Sequence, residues 1–205
     1  MKETAVTFRA GKIALQGLLS RIPGDKGVVI THPHSLYGGN MHNPVVETIT
    51  RVYGEEGFST LRFNFRGVGG SEGTFDNGRG ERDDVSGAIG HLLGAGIHSI
   101  ELVGYSFGAL VLGGMGDVPE EVVAQVHIAP PVALMDYGTV SCIPKLKAVI
   151  AAEDDDIGPP EQIKESITAW NSAAQLLVID GGDHFFSAKM VSLEAALRTY
   201  IRHPA

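Results

Sequence analysis

The sequence predicts an α/β fold: a mostly parallel central sheet, helices on both faces, and an antiparallel hairpin at the N-terminus. Three features predict it. Short β-like apolar runs alternate with helix-like stretches over most of the chain, a pattern that implies parallel strands joined by covering helices. The run GVVITHP (27–33) is continuously apolar up to its end, as a strand buried on both faces is. A chain of 205 residues without repeat, linker or composition break predicts one domain, 1–205, with a large core.

Taken in order, TAVTFRA (4–10) and IALQGLLSRI (13–22) flank Gly11-Lys12 and form the hairpin. GVVITHP is the first buried strand. HNPVVETITRVYGEEG (42–57) is a helix, with Asn43 as cap, Pro44 at the first position and Gly57 as stop. FSTLRFNF (58–65) is a strand. GERDDVSGAIGHLLGAG (80–96) is a helix whose early acids suit the helix dipole. SIELVGY (99–105) is a strand and FGALVLGGMG (107–116) a helix. VVAQVHIAP (122–130), LKAVIAAE (146–153) and QLLVIDGG (175–182) are further strands. PPEQIKESITAWNSA (159–173) and SAKMVSLEAALRTYIRH (187–203) are further helices.

Composition excludes several classes. Hydrophobic residues make up 43% and charged residues 20%, an ordinary globular balance far from disorder. Net charge is −8, with no basic patch, so nucleic acid is not an expected partner. Cys142 is the only cysteine, which excludes an intrachain disulfide framework and fits a reducing compartment. The start, MKETAVTFRAGK, lacks the apolar core of a signal peptide, and no apolar run approaches the ~18 residues of a membrane span. A cytoplasmic protein with no membrane partner is expected. Nothing in the sequence specifies an oligomeric state.

Two serines stand in the pattern G-x-S-x-G: Ser106 in GYSFG and Ser71 in GGSEG. A nucleophile elbow requires a strand running into the first glycine, a strained turn at the serine and a helix directly after it. Side chains at either flanking glycine would collide in so tight a turn. Ser106 meets these demands: SIELV precedes it, and a helix beginning at Phe107 would point backbone N–H groups at the reacting centre. Ser71 is followed by EGTFDNGRG, a loop composition, and reads as a turn residue.

A serine hydroxyl needs a base, and the base an orienting acid. In this arrangement the chain order is Ser, acid, His. His184, in DGGDHFF after the run LLVI, lies in a loop after a strand, where functional groups gather in open α/β sheets. His203 is the third residue from the end of the sequence and is set aside. The acid is expected at the end of LKAVIAA, where Glu153, Asp154, Asp155 and Asp156 stand side by side. Asp180 and Asp183 share the loop of His184. No cofactor is expected: GVGGSEG is not the G-x-G-x-x-G of dinucleotide binding and no helix follows it. No metal is expected either, since His32 and His34 are split by Pro33 and, with His42, have no carboxylate or cysteine near them in sequence.

The segments HPHSLYGGNMHNPVV (32–46), FNFRGVGGSEG (63–73), GYSFG (104–108), AEDDDIGPPE (152–161) and GGDHFF (181–186) resemble, in order, the small bacterial α/β-hydrolases, esterase-like proteins with an HPH-type segment. The resemblance implies the α/β-hydrolase fold. It places Ser71 in the family's structural turn D-x-R-G-x-G-x-S, which here begins at Asn64. It selects Asp155 among the four acids, although Ala152 replaces the family's glycine three positions earlier. It also implies an oxyanion hole made by the backbone N–H groups of His34 and Phe107.

The implied activity is a serine hydrolase that cleaves a small carboxylic ester through an acyl-enzyme, with Ser106, His184 and Asp155 as triad and a small molecule as partner. About a dozen residues, from Pro131 to Pro144, separate two strands where lids insert in this fold, so no large cap is expected. The alternatives are a thioesterase or peptidase with the same triad, or a non-catalytic binding protein on the same fold.

Overall fold

Strands β1 (Thr4–Ala10), β2 (Ile13–Ser20), β3 (Lys26–Thr31), β4 (Ser59–Phe63), β5 (Ser99–Tyr105), β6 (Val122–Ile128), β7 (Leu146–Ala152) and β8 (Gln175–Ile179) form one sheet. Its order is β1-β2-β4-β3-β5-β6-β7-β8. The computed structural model describes residues 2–135, 137 and 140–203. β1 pairs antiparallel with β2, and β2 with β4; every other neighbouring pair is parallel. The hairpin turns at Gly11-Lys12, between the paired Ala10 and Ile13, with Gly11 at φ +58°, a conformation that suits glycine.

The helices are α1 (Pro44–Glu55), α2 (Gly80–Gly94), α3 (Phe107–Gly113), α4 (Pro160–Asn171) and α5 (Met190–Arg202). Alternation along β3 shows why its run is apolar throughout. Val28 and Ile30 pack with Val45, Ile49 and Val52 of α1 and Leu193 and Leu197 of α5. Val29 between them packs with Val85, Ile89 and Leu92 of α2. Both faces of the strand are therefore dry. On the α2 side, α4 closes the far end of the sheet, with Ile163, Ile167 and Trp170 against Leu146, Val149 and Ala151 of β7.

Local chemistry sets the helix ends. Asn43 caps α1: its Oδ1 accepts the Val45 N–H at 2.9 Å, and Pro44 takes the first position. The helix after Ser106 is shorter than its sequence suggests, ending at Gly113 with Gly114 as cap. Its glycines answer to packing. A Cβ on Gly108 would lie 2.5 Å from Thr31 Oγ1, and one on Gly113 would lie 3.3 Å from Ile143 and Tyr137 side-chain atoms.

The parallel strands β3, β5, β7 and β8 carry their C-terminal ends on one edge of the sheet. β3 is followed in sequence by β4 on one side and lies against β5 on the other. This is the topological switch point, where a crevice opens outside the carboxyl ends. The loops after β3 and β5 meet there, and those after β7 and β8 lie farther along the same edge.

Candidate active site

Ser106 occupies the turn between β5 and α3 with φ +55° and ψ −118°, a backbone region that costs of order 1–3 kcal/mol for a residue with a side chain. The surroundings hold it there. Its N–H donates to the Ile128 carbonyl of β6 at 2.8 Å, and its own carbonyl accepts from Ala109 at 2.8 Å. A Cβ on Gly104 would stand 2.7 Å from the Gly108 backbone, which is the collision expected of a side chain at that position.

The acid run after β7 divides its labour. The Glu153 N–H donates to the Ile179 carbonyl at 3.0 Å and the Asp154 N–H to the Gly182 carbonyl at 2.8 Å. The Glu153 carboxylate accepts the Gly181 N–H at 2.8 Å. These bonds stitch the loop after β7 to the loop after β8. Glu153, Asp154 and Asp156 are exposed, while Asp155 turns inward and is buried. Its Oδ1 accepts the N–H groups of Ile157 and Gly158, each at 2.8 Å.

On the β8 side, Asp183 Oδ1 accepts from Phe185 at 3.1 Å and Ser187 at 2.8 Å, bonds that hold its carboxyl below the usual range, the Ser187 N–H most of all. Asp183 thus shapes the loop that carries His184. Phe186 is fully buried and anchors the loop, whereas Phe185 is exposed and sets its ring edge-on to the imidazole at 5.4 Å.

The three sequence-selected side chains meet. Ser106 Oγ lies 2.9 Å from His184 Nε2. His184 Nδ1 lies 2.8 Å from Asp155 Oδ2 and 3.0 Å from Oδ1. With a carboxylate on one side, Nδ1 carries the proton and Nε2 presents its lone pair to the serine hydroxyl. Ser106 and His184 are each only 7% exposed, enough for a substrate to reach from one side. Tyr105 buttresses the ring from below: its hydroxyl donates to the His184 carbonyl at 3.0 Å. Burial, then the charges of Asp155 and Asp183, raise the Tyr105 hydroxyl well above its ordinary pKa.

The HPH segment follows β3 directly. Phe107 opens α3, so its N–H is among the first-turn amides that find no partner inside the helix. His34 precedes a 3₁₀ turn at Ser35–Tyr37, and its Nδ1 accepts the Leu36 N–H at 3.2 Å. The Leu36 N–H is therefore engaged.

Sequence reasoning missed the part played by His32. Its Nε2 accepts the Phe65 N–H at 3.1 Å, and its Nδ1 lies 2.6 Å from the Pro33 carbonyl, to which it donates. That carbonyl and the His34 N–H belong to one peptide group, so the imidazole sets the direction of the N–H. Burial lowers the His32 pKa to about 4, against the pull of the Pro33 bond. Phe65 lies 33 residues away in sequence, and no local signal joins the two. With both ring nitrogens engaged, His32 has no lone pair for a metal. His42 sits at the surface, 3.6 Å from Glu47. Among the described residues no group of three His, Cys, Asp or Glu is placed to hold a metal ion.

Ser71 lies elsewhere. Its Oγ donates to the Asn64 carbonyl at 2.6 Å and accepts the Gln16 N–H at 2.9 Å, tying the turn after β4 to β2.

Ser106 and His184 open into a cleft of about 260 Å³, lined also by Pro33, His34, Tyr37, Asn43, Tyr105, Leu134, Met135, Ile157 and Phe185. Among the described residues no Lys, Arg, Asp or Glu lines it. Among the described residues no helix is long and apolar enough to cross a membrane, and no helix or strand stands between β6 and β7.

No family model matches the chain. A curated protein of Rickettsia prowazekii, itself uncharacterised, is 32% identical over 183 residues, 84% of this chain and 77% of that protein. An alpha-beta serine hydrolase homologue from Coxiella burnetii superposes with TM-score 0.86 at 30% identity, covering 96% of each chain. A serine hydrolase of this fold without lid, from Xanthomonas campestris, gives TM-score 0.86 at 30% identity, covering 98% of this chain and 94% of its own. A sheet of this order, a strained serine at its switch point and these likenesses lead to one assignment: the chain belongs to the α/β-hydrolase superfamily, as a small serine-hydrolase homologue.

Proposed function

We propose that this hydrolase cleaves a small carboxylic ester through an acyl-enzyme formed on Ser106. One observation carries the reading: Ser106 Oγ lies 2.9 Å from His184 Nε2, and the far side of the same ring lies 2.8 Å from a buried Asp155. His184 takes the proton of Ser106 as the hydroxyl attacks the carbonyl carbon. Asp155 holds the ring in the useful tautomer and stabilises the imidazolium. The backbone N–H groups of Phe107 and His34 receive the oxyanion. The alcohol leaves with the proton from His184. Water then attacks the acyl-enzyme by the reverse proton path, with water's proton passing to His184 and on to Ser106.

The cleft volume of about 260 Å³ falls below the ~300–1,000 Å³ typical of drug-sized ligands, which favours short acyl and alcohol groups. A cytoplasmic setting belongs to the same proposal, on the strength of the single, exposed thiol of Cys142.

A fluorophosphonate probe tests the reading. It is expected to label the wild-type chain at Ser106, with no labelling of Ser106→Ala, and short p-nitrophenyl esters should be hydrolysed in preference to long ones. A chain left unlabelled, or labelled equally in Ser106→Ala, would refute it.

A further inference from the structure

Two side chains of the loop after β3 reach the cleft with their acceptor atoms already used. His34 Nδ1 accepts the Leu36 N–H at 3.2 Å. A ring whose Nδ1 accepts must carry its proton on Nε2, and Nε2 makes no hydrogen bond among the described residues. Asn43 Oδ1 accepts the Val45 N–H at 2.9 Å as the cap of α1. Its amide nitrogen is left with two N–H groups and, again among the described residues, no partner. Both residues line the cleft of Ser106. Neither can turn to offer an acceptor without breaking a bond to backbone. Burial lowers the His34 pKa, with the nearby Glu81 charge opposing, which keeps the ring a neutral donor.

The rest of the lining gives these donors weight. Leu134, Met135, Ile157 and Phe185 are apolar, the Tyr105 hydroxyl is spent on the His184 carbonyl, and Tyr37 stands 83% exposed. A ligand that fills the cleft removes water from His34 and Asn43. If it brings no acceptor, two donors lose their hydrogen bonds, an uncompensated loss that sites of this kind turn into selectivity.

We propose that His34 Nε2–H and Asn43 Nδ2–H form a subsite for an oxygen acceptor of the substrate, so that the favoured ester is small, uncharged, and carries an ether, keto or hydroxyl oxygen beyond its scissile carbonyl. A carboxylate is disfavoured there, because among the described residues no Lys or Arg lines the cleft and the chain carries a net charge of −8. The inference rests on the reading of Ser106 as nucleophile given above.

Esters that swap one methylene for oxygen test it at constant shape. The acyl pair is p-nitrophenyl 4-methoxybutanoate against p-nitrophenyl hexanoate. The alcohol pair is 2-methoxyethyl butanoate against butyl butanoate. The readout is the ratio of kcat/KM, ether over hydrocarbon, in the wild type, in Asn43→Asp and in His34→Phe. Asn43→Asp keeps the cap oxygen and removes the donor, so α1 stays capped; His34→Phe keeps a ring against Phe75 and Phe107. Taking the ratio cancels any general loss of activity in a variant. In at least one pair the ratio should fall by about 3- to 10-fold in each variant, the size of one neutral hydrogen bond. Ratios unchanged within about 2-fold in both pairs would overturn the subsite while leaving the hydrolase in place. A wild-type protein that turns over none of these esters and takes no fluorophosphonate label would overturn both.

Discussion

Lowering the pH from about 7.5 to about 5 should cost the folded protein about 4 kcal/mol through two buried histidines. One is His32, described above. The other is His127 on β6, fully buried in the layer against Trp170. Gln125 donates its amide to the Pro144 carbonyl, so its oxygen faces His127 Nε2, 3.2 Å away, and accepts that proton. His127 Nδ1 then holds a bare lone pair with no partner among the described residues. A proton arriving there would bring a charge into an apolar layer, and burial lowers the pKa to about 3. A proton on His32 Nε2 would face the Phe65 N–H donor directly, and its pKa is about 4.

In the unfolded chain both rings titrate near ~6.5. Between the folded and unfolded midpoints the unfolded chain binds more protons, so stability falls as pH falls through that window. At about pH 5 the unfolded rings are almost fully charged and the folded ones almost neutral, which removes about 2 kcal/mol per histidine. Against a typical total of ~5–15 kcal/mol the loss is large. Urea unfolding at several pH values across this range measures it. His127→Gln retains a donor for Gln125 and does not titrate, so its stability should fall only about half as steeply as the wild type, whatever its level at neutral pH. A wild-type stability independent of pH over this range, or equal slopes in the two proteins, would refute the reasoning.

Other substitutions separate the roles assigned to neighbouring residues. Asp155→Asn should lower kcat on a short p-nitrophenyl ester by about 10⁴-fold through the wrong tautomer of His184, whereas Asp154→Asn and Asp156→Asn, at exposed positions, should stay within about 2-fold. His32→Phe releases the peptide that carries the His34 N–H; kcat should fall by up to about 10²-fold with KM little changed, and the melting temperature should drop as the Phe65 N–H loses its acceptor. Ser71→Ala removes a donor to Asn64 and an acceptor for Gln16. It should cost about 1–3 kcal/mol in urea unfolding and leave kcat intact.

Context made the site readable where the motif alone did not. GGSEG and GYSFG match the same pattern, and what separates them is the helix after Ser106 and the loop after Ser71. The same logic found His184, since chain order left few histidines far enough along. It stopped at the acids. Four stand in a row, and the choice depends on which of them turns inward to accept Ile157 and Gly158, a property of the folded turn. Family resemblance pointed to Asp155; periodicity could not. The His32 clamp and the bare nitrogen of His127 were out of reach altogether, because each depends on residues brought close by strand order, which the alternation of elements leaves open. The glycines of α3 fall between these cases: their presence signalled close packing, but only the structure names Thr31 as the neighbour.

The loops around the cleft share a mode of support. His32 holds the peptide before His34, Asp155 holds its own turn, Asp183 holds the loop of His184, and Tyr105 holds the His184 carbonyl. In each case a side chain bonds to backbone, so the reacting groups inherit the rigidity of the sheet edge beneath them. Ser106 is strained, and the strain is sustained by close contact of Gly104 with Gly108 and by the bond to Ile128. A site prepared in this way has its donors in place before a substrate arrives, and it gains little from an ordering step such as lid closure. The consequence falls on specificity. On the proposed reading, discrimination rests on the walls of a cleft of about 260 Å³, and among the described residues the side-chain donors left free there are few, so each of them should weigh heavily in which substrates are chosen.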